Sequence, residues 1–72
     1  MVSYMTIGEK IRAAARGDVV RFLFRKKEIE ATVTHIFLNA PRRPDSIGLD
    51  EASGKHWLIY DDEESNAVVT FL

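Results

Sequence analysis

Two histidines, His35 and His56, and no cysteine make up this chain's stock of groups that ionise near neutrality or bind soft metals. A hydrolase or transferase needs a nucleophile with a base in reach, a pair of carboxylates or a metal, held together in a pocket. In the strand alternation read below, His35 falls in the inward row between Val33 and Phe37 and lies opposite Asp18. That contact is either a half-buried histidine hydrogen-bonded to a carboxylate or a catalytic pair, and the first reading is adopted because no nucleophile accompanies it. His56 stands opposite Asp50 on the outer face of a second hairpin, where a surface pair is the ordinary outcome. His56 with Asp61 or Asp62 lacks a recognised metal-ligand spacing, and no glycine-rich phosphate loop occurs. The expectation is a protein that is not an enzyme, with no metal site, no cofactor and no small-molecule substrate.

Binding chemistry has more to work with. Arg12, Arg16, Lys26, Lys27, Arg42 and Arg43 would serve phosphate contacts if the fold lined them up in one stripe. Base stacking asks in addition for exposed aromatics. Phe22, Phe24, Phe37, Trp57 and Phe71 all fit inward positions, which leaves Tyr60 and Tyr4. For a protein partner the candidates are Leu58 and Tyr60 on the outer face of the fourth strand, followed by the acids Asp61, Asp62, Glu63 and Glu64. Leu23, Ile36 and Leu38 fall on the outer face of the first hairpin. An apolar remnant uncovered by the helix would mark a partner surface or a homodimer seam. The acid run would steer a basic partner or imitate phosphate charge.

Those side chains have to be positioned by two β-hairpins. Residues 17–38, GDVVRFLFRKKEIEATVTHIFL, read as one long antiparallel ribbon. With an even loop centred on Lys26 and Lys27, Phe24 faces Ile29, Phe22 faces Ala31 and Val20 faces Val33. On the solvent side Arg25 meets Glu28 and Arg21 lies diagonal to Glu30. A slip of one residue would set Phe and Val against Glu and Thr, because side chains alternate with period two. The second hairpin joins residues 47–51 to 55–60 around Ala52, Ser53 and Gly54, with Gly54 suited to the left-handed last position of a three-residue loop. Its register sets Glu51 opposite Lys55, Leu49 opposite Trp57 and Ile47 opposite Ile59.

Before the ribbons, Thr6 and Glu9 have capping-box spacing. A helix over residues 7–16 follows, with Ile7, Ile11, Ala14 and Ala15 on one side, Glu9, Arg12 and Arg16 on the other, and Gly17 as its stop. Residues 39–46, NAPRRPDS, form a loop that keeps Arg42 and Arg43 between prolines. Residues 61–66 make a polar connector or single helical turn, and residues 67–71 a last strand with Val69 and Phe71 inward. Strands over residues 18–25, 28–38, 47–51, 55–60 and 67–71 predict a mainly β protein, one domain across residues 1–72. A small antiparallel barrel closes its own edges with such a meander.

The 72 residues suffice for one modest core, since a domain this size buries only about 60% of the surface its unfolded chain exposes. The net charge of −1 conceals a polarity. Residues 1–27 carry +5 and residues 44–72 carry −6, while residues 28–43 balance. One face can therefore attract phosphates and another a basic partner if the fold keeps the ends apart. The absence of cysteine suits a reducing cytoplasm. Residues 1–5 carry no export signal, and no stretch approaches the roughly 18 apolar residues of a membrane span. The expectation is a soluble cytoplasmic protein.

The opening Gly17-Asp18-Val19-Val20-Arg21-Phe22 and the curved second strand from Glu30 to Ile36, after a short N-terminal helix, resemble the SH3-like small barrels. That likeness takes in the Sm-like group, which adds the helix, and the Tudor and KOW-type modules. It covers residues 17–72 in outline and implies a five-stranded antiparallel SH3-like barrel, but carries over no binding residue: neither an aromatic cage nor a nucleotide pocket is recognisable. The same opening with Val68 to Phe71 also resembles a shortened ASCH barrel, a family associated with RNA. Small stand-alone barrels of this composition resemble accessory proteins of phages or mobile elements as well, which act by occupying a host protein's surface. The function expected is that of a non-catalytic binding module, its partner a protein or a second copy of itself. The alternative is a nucleic-acid (RNA or DNA) binding barrel that uses the basic stripe.

Overall fold

The computed structural model describes residues 6–72. Tyr4 and the absence of an export signal in residues 1–5 therefore lie outside the described residues. The order of elements is α1 (Ile7–Ala13), β1 (Val19–Phe24), β2 (Lys27–Phe37), β3 (Ser46–Asp50), β4 (His56–Tyr60), α2 (Glu63–Val68) and β5 (Val69–Phe71). The protein is mainly β: five antiparallel strands form one sheet in the order β4-β3-β2-β1-β5. No pairing joins β4 to β5, so the sheet is open at that seam rather than closed into a barrel.

Although open, the sheet curls, and its concave side holds the core. Trp57 on β4 meets two rings of β1 edge to face, Phe22 at 5.5 Å and Phe24 at 5.0 Å between centroids. Phe22 also meets Phe71 of β5 at 6.1 Å. Around these rings Ile11, Val33, Ile47, Leu49 and Ile59 lose essentially all contact with solvent. Burying each such side chain contributes about 1.5–3 kcal/mol, which makes this inward row the main support of a domain without disulfides.

The capping box forms as read. Thr6 Oγ1 accepts from the Glu9 amide at 3.2 Å and Glu9 Oε1 accepts from the Thr6 amide at 3.3 Å. Ile7 and Ile11 carry the helix onto the core. The helix is shorter than expected, ending at Ala13 with Ala14 already extended. Beyond it the Ala15 amide donates to Asp18 Oδ2 at 2.9 Å, and the Gly17 amide to the Val33 carbonyl at 2.8 Å. Those bonds draw the amides into the turn that starts β1, so Arg16 lies in that turn and not on a helix face with Arg12.

The first hairpin keeps its core face but shifts its register. Phe22 faces Ile29 and Val20 faces Ala31, while Phe24 faces Lys27. The turn is Arg25-Lys26, with φ of 50° and 72°, the left-handed pair of a type I′ loop. Arg25 thus does not meet Glu28, and Arg21 stands directly opposite Glu30, its Nε 3.0 Å from Glu30 Oε2. Both registers put the same apolar residues inward, because they differ by two positions and the pleat repeats every two. On its other edge β1 pairs with β5, Val69 facing Phe24 and the Arg25 amide donating to the Val68 carbonyl.

The second hairpin has the expected register, with Leu49 opposite Trp57, Ile47 opposite Ile59 and Gly54 at φ 94°. The largest departure is in β2. Thr32 and Val33 pair with Asp50 and Leu49, but His35, Ile36 and Phe37 pair with Gly48, Ile47 and Ser46, one position out of step. Thr34 is the extra residue of a β-bulge, and a bulge reverses the alternation beyond it. Ile36, expected outside, packs against the core opposite Ile47, while His35 and Phe37, expected inside, face solvent. The last strand also starts later than expected, because residues 63–68 are helical: Asp62 caps α2 by accepting from the Ser65 amide at 2.8 Å.

Candidate protein-binding surface

The bulge builds a surface that strict alternation would have hidden. On the convex side of the sheet, His35 and Phe37 stand together on β2 with parallel rings 6.0 Å apart. Register places Gly48 beside His35 and Leu58 beyond Gly48, then Ser46 beside Phe37 and Tyr60 beyond Ser46. The result is a trough along β3. Its walls are two strand spacings, about 10 Å, apart, and its floor is made of the two small residues.

Gly48 is what keeps the trough open. A Cβ there would sit 3.2 Å from the Cβ of His35, tighter than ordinary contact. The floor is buried between the walls, and Thr34 Oγ1 steadies it by donating to the Gly48 carbonyl at 3.4 Å. The walls are not buried: Phe37 is 49% and Leu58 48% exposed, and Leu38 just beyond is 40% exposed. Tyr60 is half-buried. Clustered exposure of large apolar groups on one sheet face is the feature that marks interaction sites.

The acids after β4 divide by role. Asp61 Oδ2 lies 3.5 Å and Asp45 Oδ2 3.4 Å from Arg12 Nη1, so Arg12 ties the helix to both loops. Gly8 makes room for that contact, since a Cβ on it would lie 2.6 Å from Asp61 Oδ2. Asp62 is spent on the α2 cap. Glu63 and Glu64 sit exposed in the first helical turn, where carboxylates complement the backbone dipole. Of the four acids assigned to partner steering, these two are the ones that face solvent without an ion pair among the described residues.

The basic residues are not gathered. Lys26 and Lys27 are at one end of β2, and Arg42 and Arg43 are on the loop past its other end. The 11 residues of β2, at about 3.3 Å each, separate those ends. Arg12 is engaged by two carboxylates, and Arg16 lies in the α1–β1 turn. The structure thus does not assemble these six into a single stripe.

Neither histidine occupies the place a buried acid–base pair would need. His35, expected opposite Asp18, faces outward, and its Nδ1 is 3.0 Å from Thr34 Oγ1. Asp18 instead binds the Ala15 amide. His56 Nδ1 is 2.5 Å from Asp50 Oδ1 on the exposed face, the surface pair read from the hairpin register. Among the described residues no group of three or more His, Asp or Glu side chains is arranged to hold a metal ion. No helix of the described residues is long and apolar enough to cross a membrane. Comparison of the chain with protein-family models, curated proteins and solved structures found no match.

Strict alternation hides the trough because it sets Phe37 and His35 inward. A signal was present. Thr-His between Val33 and Ile36 breaks the apolar alternation, and setting Ile36 inward requires one extra residue between them, which is the definition of a bulge.

Proposed function

We propose that this chain is a non-catalytic protein-binding module on an SH3-like small-barrel plan, and that it grips an extended segment of its partner in the trough between β2 and β4. The single observation that carries the reading is the pairing of exposed Phe37 with exposed Leu58 across a floor emptied by Gly48. The barrel plan is supported by the return of β5 to β1 and by the Trp57 contacts that curl the sheet. The non-catalytic side is supported by the siting of His35 and His56 on an open face. Such a module acts as an accessory or inhibitory protein by covering part of its partner's surface.

A protein partner is favoured over nucleic acid by the chemistry of the trough, whose lining contains Asp50, His35 and His56 but neither Lys nor Arg. Phosphate recognition depends on cations beside the aromatics. The nucleic-acid reading keeps one observation in its favour: exposed Phe37 precedes the loop that bears Arg42 and Arg43.

One capture experiment separates the two. The tagged chain is incubated with lysate of its source organism, with and without nuclease, beside two double variants. The proposal expects the same protein to be retained in high salt and after nuclease, lost with Phe37→Ser/Leu58→Asp and kept with Arg42→Ser/Arg43→Ser. Retention that collapses with salt or nuclease and with loss of the two arginines would establish the nucleic-acid reading instead, because phosphate contacts weaken steeply with salt.

A further inference from the structure

A second concavity lies where the sheet fails to close. Between β4 and the α2–β5 segment runs a cleft of 410 Å³, within the range of about 300–1,000 Å³ usual for ligand sites. Phe24, Trp57, Val68 and Val69 make its apolar lining, with Arg25 and Glu64 also bordering it. It lies along the free edge of β4 and shares Trp57 and Leu58 with the trough, while Phe24, Arg25, Glu64, Val68 and Val69 belong to the cleft alone.

The free edge of β4 contributes hydrogen-bonding groups to this cleft. The Glu51 amide donates to the Lys55 carbonyl at 2.8 Å, closing the hairpin. Hydrogen-bonded pairs alternate along an antiparallel ladder, so they fall at Leu49–Trp57 and Ile47–Ile59. The main-chain groups of His56, Leu58 and Tyr60 consequently point away from β3. The Tyr60 amide confirms the phase by donating to Ser65 Oγ at 3.3 Å, while Leu58, which lines the cleft, has no such partner among the described residues.

Arg25 supplies the second observation. Its φ of 50° belongs to the type I′ turn, which holds the residue at the mouth of the cleft. Its guanidinium lies over the Phe24 ring, 5.5 Å from the centroid. Among the described residues Arg25 pairs with no carboxylate and Glu64 with no cation. The cleft therefore offers an apolar floor, a strand edge and one unpaired charge of each sign.

We propose that this cleft binds an extended peptide segment of a partner protein, in which one large apolar side chain is flanked by an acidic and a basic residue. The apolar group packs on Phe24 and Trp57, the peptide backbone pairs with the Leu58 amide and carbonyl, the acid meets Arg25 and the base meets Glu64. The occupant differs in chemistry from that of the trough, whose lining contains neither Arg nor Lys, and shifts at Val68 and Val69, which line the cleft alone, distinguish the two sites.

The test is a titration of the full chain with blocked tripeptides, followed by amide and indole NMR shifts and by the emission of Trp57, the single tryptophan. The probes are acetyl-Asp-Leu-Lys-amide and acetyl-Lys-Leu-Asp-amide, covering both chain directions, with acetyl-Lys-Leu-Lys-amide as the control. The proposal expects millimolar binding of at least one mixed-charge peptide, with shifts at Trp57, Leu58, Val68 and Val69. It expects about two- to fivefold weaker binding by the control and by Arg25→Asn, the range of an exposed charge pair. Asn accepts the left-handed φ, so that variant keeps the turn, and Lys26→Gly in the same turn leaves binding unchanged. No shifts at millimolar peptide, shifts centred on His35, Phe37 and Gly48, or unaltered binding by Arg25→Asn would each overturn the proposal.

Discussion

Lys26 and Lys27 are adjacent and identical, yet replacing each by glycine should move stability in opposite directions. Lys26 has φ 72° in the β1–β2 turn, whereas Lys27 opens β2 opposite Phe24. A left-handed conformation costs an L-residue about 1–2 kcal/mol. Glycine removes that cost but loses about 0.5–1 kcal/mol through its greater freedom in the unfolded chain. Lys26→Gly should therefore stabilise by about 0.5–1 kcal/mol. Lys27→Gly relieves no strain and should destabilise by about 0.5–1 kcal/mol, the usual cost of glycine inside a strand. The two variants should differ by about 1–2 kcal/mol, at about 4–8 °C in melting temperature for each kcal/mol in a domain of this size. Urea titration followed by Trp57 emission reads this as midpoints on opposite sides of the parent at an unchanged slope. Stabilisation by Lys27→Gly would refute the reasoning, since it would place the turn at Lys26-Lys27 and pair Phe24 with Ile29.

Two further outcomes test the elements that shape the trough and the helix start. With the Thr34 bulge in place, Ile36→Ser should cost at least 2 kcal/mol, being a large-to-small change that also brings a hydroxyl to the core. Phe37→Ser should stay within about 0.5 kcal/mol of the parent, as surface changes do; urea midpoints in the reverse order would remove the bulge and the trough with it. At the helix start, Thr6→Ala should lower stability by about 1 kcal/mol through loss of the cap, read as a lower urea midpoint at an unchanged slope, and an unchanged midpoint would contradict it.

Much of the fold can be read from residue order because its signals are local. Thr6 and Glu9 announce the helix start, and Gly54 with the apolar pairs on either side determines the second hairpin. The first hairpin is legible only as far as its faces, since two registers separated by one pleat repeat bury the same side chains. The candidate site was half legible. Leu58 and Tyr60 come directly from the second hairpin, while their companions Phe37 and His35 depend on a bulge that shows only when Ile36 is matched to Ile47. The four acids after β4 look alike in sequence, and only contacts with Arg12 and the Ser65 amide separate Asp61 and Asp62 from the exposed Glu63 and Glu64.

By itself the sequence determined the class of the protein: strands alternating with period two, a capped helix, turns at Gly17, Gly54 and the prolines, and one core row running through Val20, Phe22, Ile29, Ala31 and Val33. Those are properties of neighbouring residues and the geometry of the pleat. Only the tertiary structure decided how β2 breaks step at Thr34, that the sheet curls through Trp57 without joining β4 to β5, and which charges stay unpaired. Each of those outcomes depends on residues far apart in the chain competing for the same space, hydrogen bonds or carboxylates, and such competition has no period to leave in the sequence.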